Sequence, residues 1–240
     1  KYIMIIDTYL DETVAQAIYK ENQEEREKHN SSGKLSASML GQPLQWQILK
    51  VMGVEPREVD RYVLRKFKRG NDVEDWLVKY IPGLVETQKE VEYKNVVGRV
   101  DAVVDTNLYF NPVGIIPHEI KSVANAKYKR IMEDEQADRG HILQACLYAL
   151  ALKSDHFAID YIASDDYRIT TMLYETVNYA DEVEKIIDRF NKQLETKTIP
   201  VFEAEEKWQE NEMYNSYYEW SKLDQKEIND KYKLLKVKNK

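Results

Sequence analysis

The alternation of apolar and polar positions divides the chain into a helical first third, a strand-rich middle and a mixed end. DETVAQAIYKENQEEREKHN has a helical look and turns almost wholly polar towards its end, a solvated helix face followed by a linker at SSGK. Residues 35–52, LSASMLGQPLQWQILKVM, predict a cap and short helix, a break at Gly41-Gln42-Pro43, and a second helix. RYVLRKFKRGNDVEDWLVKYI reads as a helical segment with the stripe Val73, Leu77, Tyr80 and Ile81, stopping at Pro82-Gly83. In the middle, KEVEYKNVVGRVDAVVD and GIIPHEIKSV are rich in Val, Ile and Tyr at period two, so they predict strands. A helix, HILQACLYALAL, comes next, then the strand candidates HFAIDYIAS and YRITTMLYETV. YADEVEKIIDRFNKQLETK is an amphipathic helix with Val183, Ile186, Ile187, Phe190 and Leu194 on one side, and a helical, aromatic tail is expected from Trp208 onward. The class is α/β, a central sheet with helices before, within and after it.

At 240 residues, 43% hydrophobic and 32% charged, the chain can bury a sizeable core as one large domain and is expected to be soluble. ACLYALAL is too short to span a bilayer, and KYIMII, interrupted by Asp7, is too short for a signal-peptide core, so no membrane association is expected. The single cysteine, Cys146, excludes an internal disulfide and points to a cytoplasmic setting. A formal charge of −7 argues against a non-specific nucleic-acid coat but leaves room for a local grip on a few phosphates. KFKRG, KYKR and KLLKVKNK are candidates for that grip, or ordinary surface lysines.

HEIKS, residues 118–122, is the stretch that carries chemistry. On a strand Glu119 and Lys121 share one face, with His118 and Ile120 on the other. A surface ion pair is the plain explanation, and such pairs are worth little. Asp101 in GRVD lies on the preceding strand candidate among valines, and a buried Asp is costly unless it is paired or binds a metal. Glu74 follows Gly70 by four residues on the helix before, where its alternative is a solvated face. Gln144 and Tyr148 are four apart on HILQACLYALAL and share a face with His141. Hard oxygen ligands such as Glu74, Asp101 and Glu119 suit Mg²⁺ or Mn²⁺, and a lysine beside them suits the positioning or deprotonation of water. His118 reads as a satisfied strand histidine facing away from Glu119, and Cys146 as packing.

Glu74 in RGNDVE, Asp101 in GRVD, Glu119 and Lys121 in EIK, and Gln144 and Tyr148 in QACLY stand in the order of a known family. Across about residues 35–150 the chain resembles the RecB-like branch of the PD-(D/E)XK nucleases, which includes CRISPR-associated RecB-like exonucleases and phage recombination nucleases. The resemblance implies a restriction-endonuclease-like central mixed β-sheet flanked by helices, with helical N- and C-terminal extensions. It implies a single nuclease domain over 1–240: a helical region at 1–60, the core at 61–200 and a helical extension at 201–240. It also implies metal ligation by Glu74, Asp101, Glu119 and the backbone carbonyl of Ile120, with Lys121 as catalytic base or water positioner. Gln144 and Tyr148 would orient the phosphate backbone or the lysine. Apart from the resemblance, His141 reads either as a DNA contact or simply as a residue at the helix start.

The sequence departs from the iron–sulfur members of that family. Gln42-Pro43-Leu44 stands where a cysteine and an arginine are usual, and KWQENEMYNSYYEW has none of the other three cysteines, so no iron–sulfur cluster is expected. Trp208, Tyr214, Tyr217, Tyr218 and Trp220 are expected to hold the chain ends together by packing instead. Two function classes follow. One is a metal-dependent deoxyribonuclease, an exonuclease on single strands or duplex ends, with a structure-specific endonuclease as a variant. The other is a non-catalytic nuclease-fold module that binds DNA ends or a recombination partner protein.

Overall fold

The computed structural model describes residues 9–28, 33–108 and 112–238. KYIMII, the first two residues of SSGK, the middle of NLYFNPVG and the last two residues of KLLKVKNK lie outside the described residues.

Helix α1 (Tyr9–Lys28) is mostly exposed from Glu12 to Glu24 and meets α3 (Arg61–Leu77) through the long ion pairs Glu12–Arg61 and Glu21–Lys68. The expected first helix after the linker is instead a two-residue strand, β1 (Leu35–Ser36), and a 3-10 turn over Ala37–Met39. Ser36 and Ser38 bond each other through their hydroxyls, and hydroxyls that compete for local partners work against a continuous helix. The N-terminal region therefore adds a strand to the sheet rather than helices alone. Helix α2 (Leu44–Val51) follows the break at Gly41-Gln42-Pro43. Helix α3 starts where the Asp60 carboxylate accepts the Tyr62 N–H at 2.7 Å, an N-cap, and ends in a 3-10 turn over Val78–Tyr80 ahead of Pro82. Of its expected stripe, Val73 and Leu77 are buried, but Tyr80 is exposed.

Strands β2 (Leu84–Tyr93) and β3 (Val96–Asp105) form a hairpin through Lys94-Asn95, both at positive φ, which matches the twist of a tight two-residue turn. Strand β2 takes one edge of β3 along its length; β1 and β4 (Ile115–Val123) share the other. Strand β1 pairs parallel with Val96-Val97, and β4 pairs antiparallel only from Ala102↔His118 to Asp105↔Ile115. Neither β1 nor β4 pairs with residues 98–101 of β3, so the sheet forks there. Strand β5 (His156–Ala163) pairs parallel with β4, and β6 (Ile169–Glu175) pairs antiparallel with β5.

Two helices connect β4 and β5. Helix α4 (Asn125–Asp134) contains KYKR, expected from the sequence only as a basic stretch, and α5 (Arg139–Leu152) is HILQACLYALAL with two residues added. Helix α5 is buried nearly all round, Cys146 included, between the sheet, the turn at Ala37–Met39 and α6 (Ala180–Glu195). On the other sheet face a smaller apolar cluster joins Val73 and Leu77 of α3 to Ala102, Val104, Ile120 and Ile162. The tail is less helical than expected: a 3-10 turn over Lys207–Glu210, the short α7 (Tyr218–Ser221) and α8 (Gln225–Lys238). It packs against the α2 region. Gln45 donates to the Pro200 carbonyl at 3.0 Å, Arg57 N–H to the Ser216 carbonyl, and the Tyr217 hydroxyl to the Val54 carbonyl. Of the five aromatics expected to clamp the ends, Tyr217 and Trp220 are buried, while Trp208 and Tyr214 stay exposed.

Candidate active site

The fork between β3 and β4 is where the expected residues meet. Asp101 lies on the unpaired edge of β3, and its Oδ2 accepts the backbone N–H of Ile120 at 2.7 Å. A ladder would have spent that N–H on β3's backbone; here a carboxylate satisfies it instead. Glu119 is fully buried, and the Lys121 ammonium abuts its Oε1 as an ion pair. Lys121 meets Oε1, and Oε2 is left buried with no hydrogen-bond partner. Glu119 and Lys121 share a face, as strand alternation requires. His118 faces the other way, with its Nδ1 2.7 Å from Asp160 Oδ2.

Glu74 reaches the same region from α3, and its Oε1 accepts a short hydrogen bond from the Gln88 amide of β2. On α5 the Gln144 amide donates to the Tyr148 hydroxyl at 2.9 Å. The Tyr148 ring lies against Gly98, where a Cβ would stand 2.4 Å from Cε1. Glycine in GRVD is thus a requirement of ring packing. His141, half-buried, shares a 2.8 Å hydrogen bond between its Nδ1 and the Tyr161 hydroxyl. That hydroxyl also accepts the Asp138 N–H, so Tyr161 ties His141 to the start of α5.

Electrostatics tie the group together. Burial, then the Asp101 charge, pushes Glu119 up to about 8; burial and Asp101 push Glu74 up to about 7. Burial likewise raises Asp101, against Lys121 and the Ile120 hydrogen bond. Burial opposes the Lys121 charge, but Glu119 and Asp101 outweigh it and hold the ammonium above its ordinary value. His141 is pushed down to about 3 by burial, with Lys121 and Lys127 adding to the effect. Burial, then the Glu119 charge, holds Tyr148 well above the usual phenol range.

As the side chains are placed, no three His, Cys, Asp or Glu among the described residues converge on one point that would hold a metal. Glu74 is spent on Gln88, Asp101 on Ile120 N–H and Glu119 on Lys121. Each partner takes one oxygen, Oε1 of Glu74, Oδ2 of Asp101 and Oε1 of Glu119, so a shared cation would draw on the second oxygen of each after the carboxylates close on one another. The donor set fits one: three hard-oxygen carboxylates that disfavour one another's charge, one of them with a buried Oε2 that has no hydrogen-bond partner.

Gln88 escaped the sequence reading. Its signal was there in the hairpin register: Thr87 opposes Ala102 and Lys89 opposes Val100, so Gln88 falls opposite Asp101. Tyr161 and Asp138, which hold His141, carried no comparable signal.

No protein-family model matches the chain, and no curated protein matches its sequence. Its fold matches solved structures. The alkaline exonuclease LHK-Exo from Laribacter hongkongensis is 14% identical with a TM-score of 0.54, over 70% of this chain and 91% of that one. LHK-Exo in complex with dAMP is 16% identical with a TM-score of 0.52, over 69% and 90%. At such identities the likeness is one of architecture: the central mixed sheet flanked by helices is the fold of these exonucleases.

Proposed function

We propose that the chain is a divalent-metal-dependent deoxyribonuclease of the PD-(D/E)XK type and RecB-like branch, acting as an exonuclease on single-stranded or duplex-end DNA in recombination, repair or phage DNA processing. The observation that carries this reading is the pairing of Lys121 with the fully buried, poorly satisfied Glu119 at the fork where Asp101 is held. The exonuclease architecture around it supports the reading, as does a neighbour solved with dAMP.

Glu74, Asp101, Glu119 and the carbonyl of Ile120 would hold Mg²⁺ or Mn²⁺. Such an ion, when bound, supplies a more acidic water and neutralises charge on the scissile phosphate. Asp101, fixed to Ile120 N–H, sets the distance between β3 and β4 and hence where Glu119 stands. Lys121 gives a cation at the carboxylate cluster; it orients water for attack or takes its proton, and offsets phosphate charge. Gln144 and the buried Tyr148, bonded to each other beside Gly98, would orient the DNA backbone or the lysine. His141, held neutral, would stand near the DNA backbone.

Incubation with end-labelled single- and double-stranded DNA, with Mg²⁺, Mn²⁺ or EDTA, tests this through product lengths over time. Progressive shortening that needs the metal is the expected result. Cleavage undiminished in chelator would overturn the metal mechanism, and intact DNA in every lane would leave a binding module.

A further inference from the structure

Resting on that reading, we propose that Gln88 is a positioning residue of the metal site, aiming the Glu74 carboxylate through its amide, and that the strand backbone is distorted to allow it. Gln88 is the residue of β2 opposite Asp101, yet it makes no ladder pair, although Thr87↔Ala102 and Lys89↔Val100 on either side do. Its φ is +53°, a left-handed conformation in the middle of a ten-residue strand and at a residue with a full side chain. Neither Gly nor Asn, the residues that adopt this geometry at low cost, occupies the position. What the distortion delivers is the Nε2–H hydrogen bond to Glu74 Oε1, from strand to helix across the edge of the site. The amide Oε1 is buried with no donor, a second cost at the same residue. A strained backbone and an unsatisfied oxygen, set against a single hydrogen bond to Glu74, mark a residue kept for what it holds.

Gln88→Gly separates this role from a structural one, because glycine relieves the backbone while removing the amide. In the chelated protein, the Gly variant is expected to melt at or above the wild-type temperature. By calorimetry its Mn²⁺ affinity is expected to fall about ten- to a hundred-fold, the usual effect of losing a group that orients a metal ligand. Gln88→Asn, which tolerates the backbone but falls short of Glu74, should show the same affinity loss. At saturating Mn²⁺ the rate should recover most of its wild-type value in both variants. A Gly variant that melts lower and binds Mn²⁺ as tightly as wild type would make Gln88 an ordinary strand residue and overturn the proposal alone. A wild-type protein that binds no Mn²⁺ would overturn this proposal together with the nuclease reading.

Discussion

Asp101 accepts the backbone N–H of Ile120 at 2.7 Å, so the carboxylate proposed as a metal ligand also ties β4 to β3. The two duties can be separated by substitution. Asp101→Asn keeps an oxygen that can accept the same N–H but removes the charge. It should melt near wild type and lose about two or more orders of magnitude in metal-dependent cleavage. Asp101→Ala leaves a buried N–H unpaired and should in addition cost about 1–3 kcal/mol in urea unfolding. Equal stability of the two variants would mean that the hydrogen bond does not support the fork.

The raised carboxylates make metal binding depend on pH. Glu119 at about 8 and Glu74 at about 7 keep their protons into the neutral range, against an ordinary value of 4.5. The folded state binds more protons than the unfolded one in that window. The stability these groups lend is therefore present below the ordinary carboxylate pKa and lost as pH rises through the folded values. A cation needs them deprotonated. The rise in melting temperature on adding Mn²⁺ should therefore grow from about pH 6 to about pH 9, and a flat profile would contradict the assignment of these carboxylates as ligands.

Lys121 is paired with Glu119 and on the proposed reading would compete with a cation for it. Lys121→Met, similar in length and uncharged, should bind Mn²⁺ at least as tightly as wild type. Its cleavage rate at saturating Mn²⁺ should drop by about two to four orders of magnitude, the usual worth of a positioned acid or base. Loss of metal affinity in this variant would place Lys121 in a different role.

The tail should prove necessary for the fold. Trp220 and Tyr217 are buried beside α2, and Gln45 reaches back to Pro200. Trp220→Ala should cost about 3–5 kcal/mol, as large core truncations do. A chain cut at about Pro200 should unfold or melt far lower by circular dichroism. A truncated protein that stays folded and cleaves DNA would show the tail to be an accessory.

What the sequence disclosed follows from how strongly each element repeats. Strands β3 and β4 run ten and nine residues with both faces largely covered, and the geometry of a strand was enough to place Glu119 and Lys121 on one face and His118 on the other. Strand β1 is two residues long and offers no period to detect; its membership in the sheet comes from pairing with Val96-Val97. Helix α4 carries its charge in plain view, but only Tyr128 and Ile131 are buried on it, too few to mark a stripe. Helix α5 defeats the amphipathic reading for the opposite reason, being buried on nearly every side. Gln88 is a case of its own: β-sheet pattern describes residues that obey the ladder, and this one departs from it.

The fork gives the molecule a form of safety in its own assembly. Glu74, Asp101, Glu119 and Tyr148 come from α3, β3, β4 and α5, far apart along the chain, and the bond that fixes Asp101 exists only when β3 and β4 already lie in register. Loop-closure entropy has to be met by the whole sheet before these groups come within reach of one another. A nascent or partly unfolded chain therefore has the residues without the arrangement, which exists only once β3 and β4 have paired.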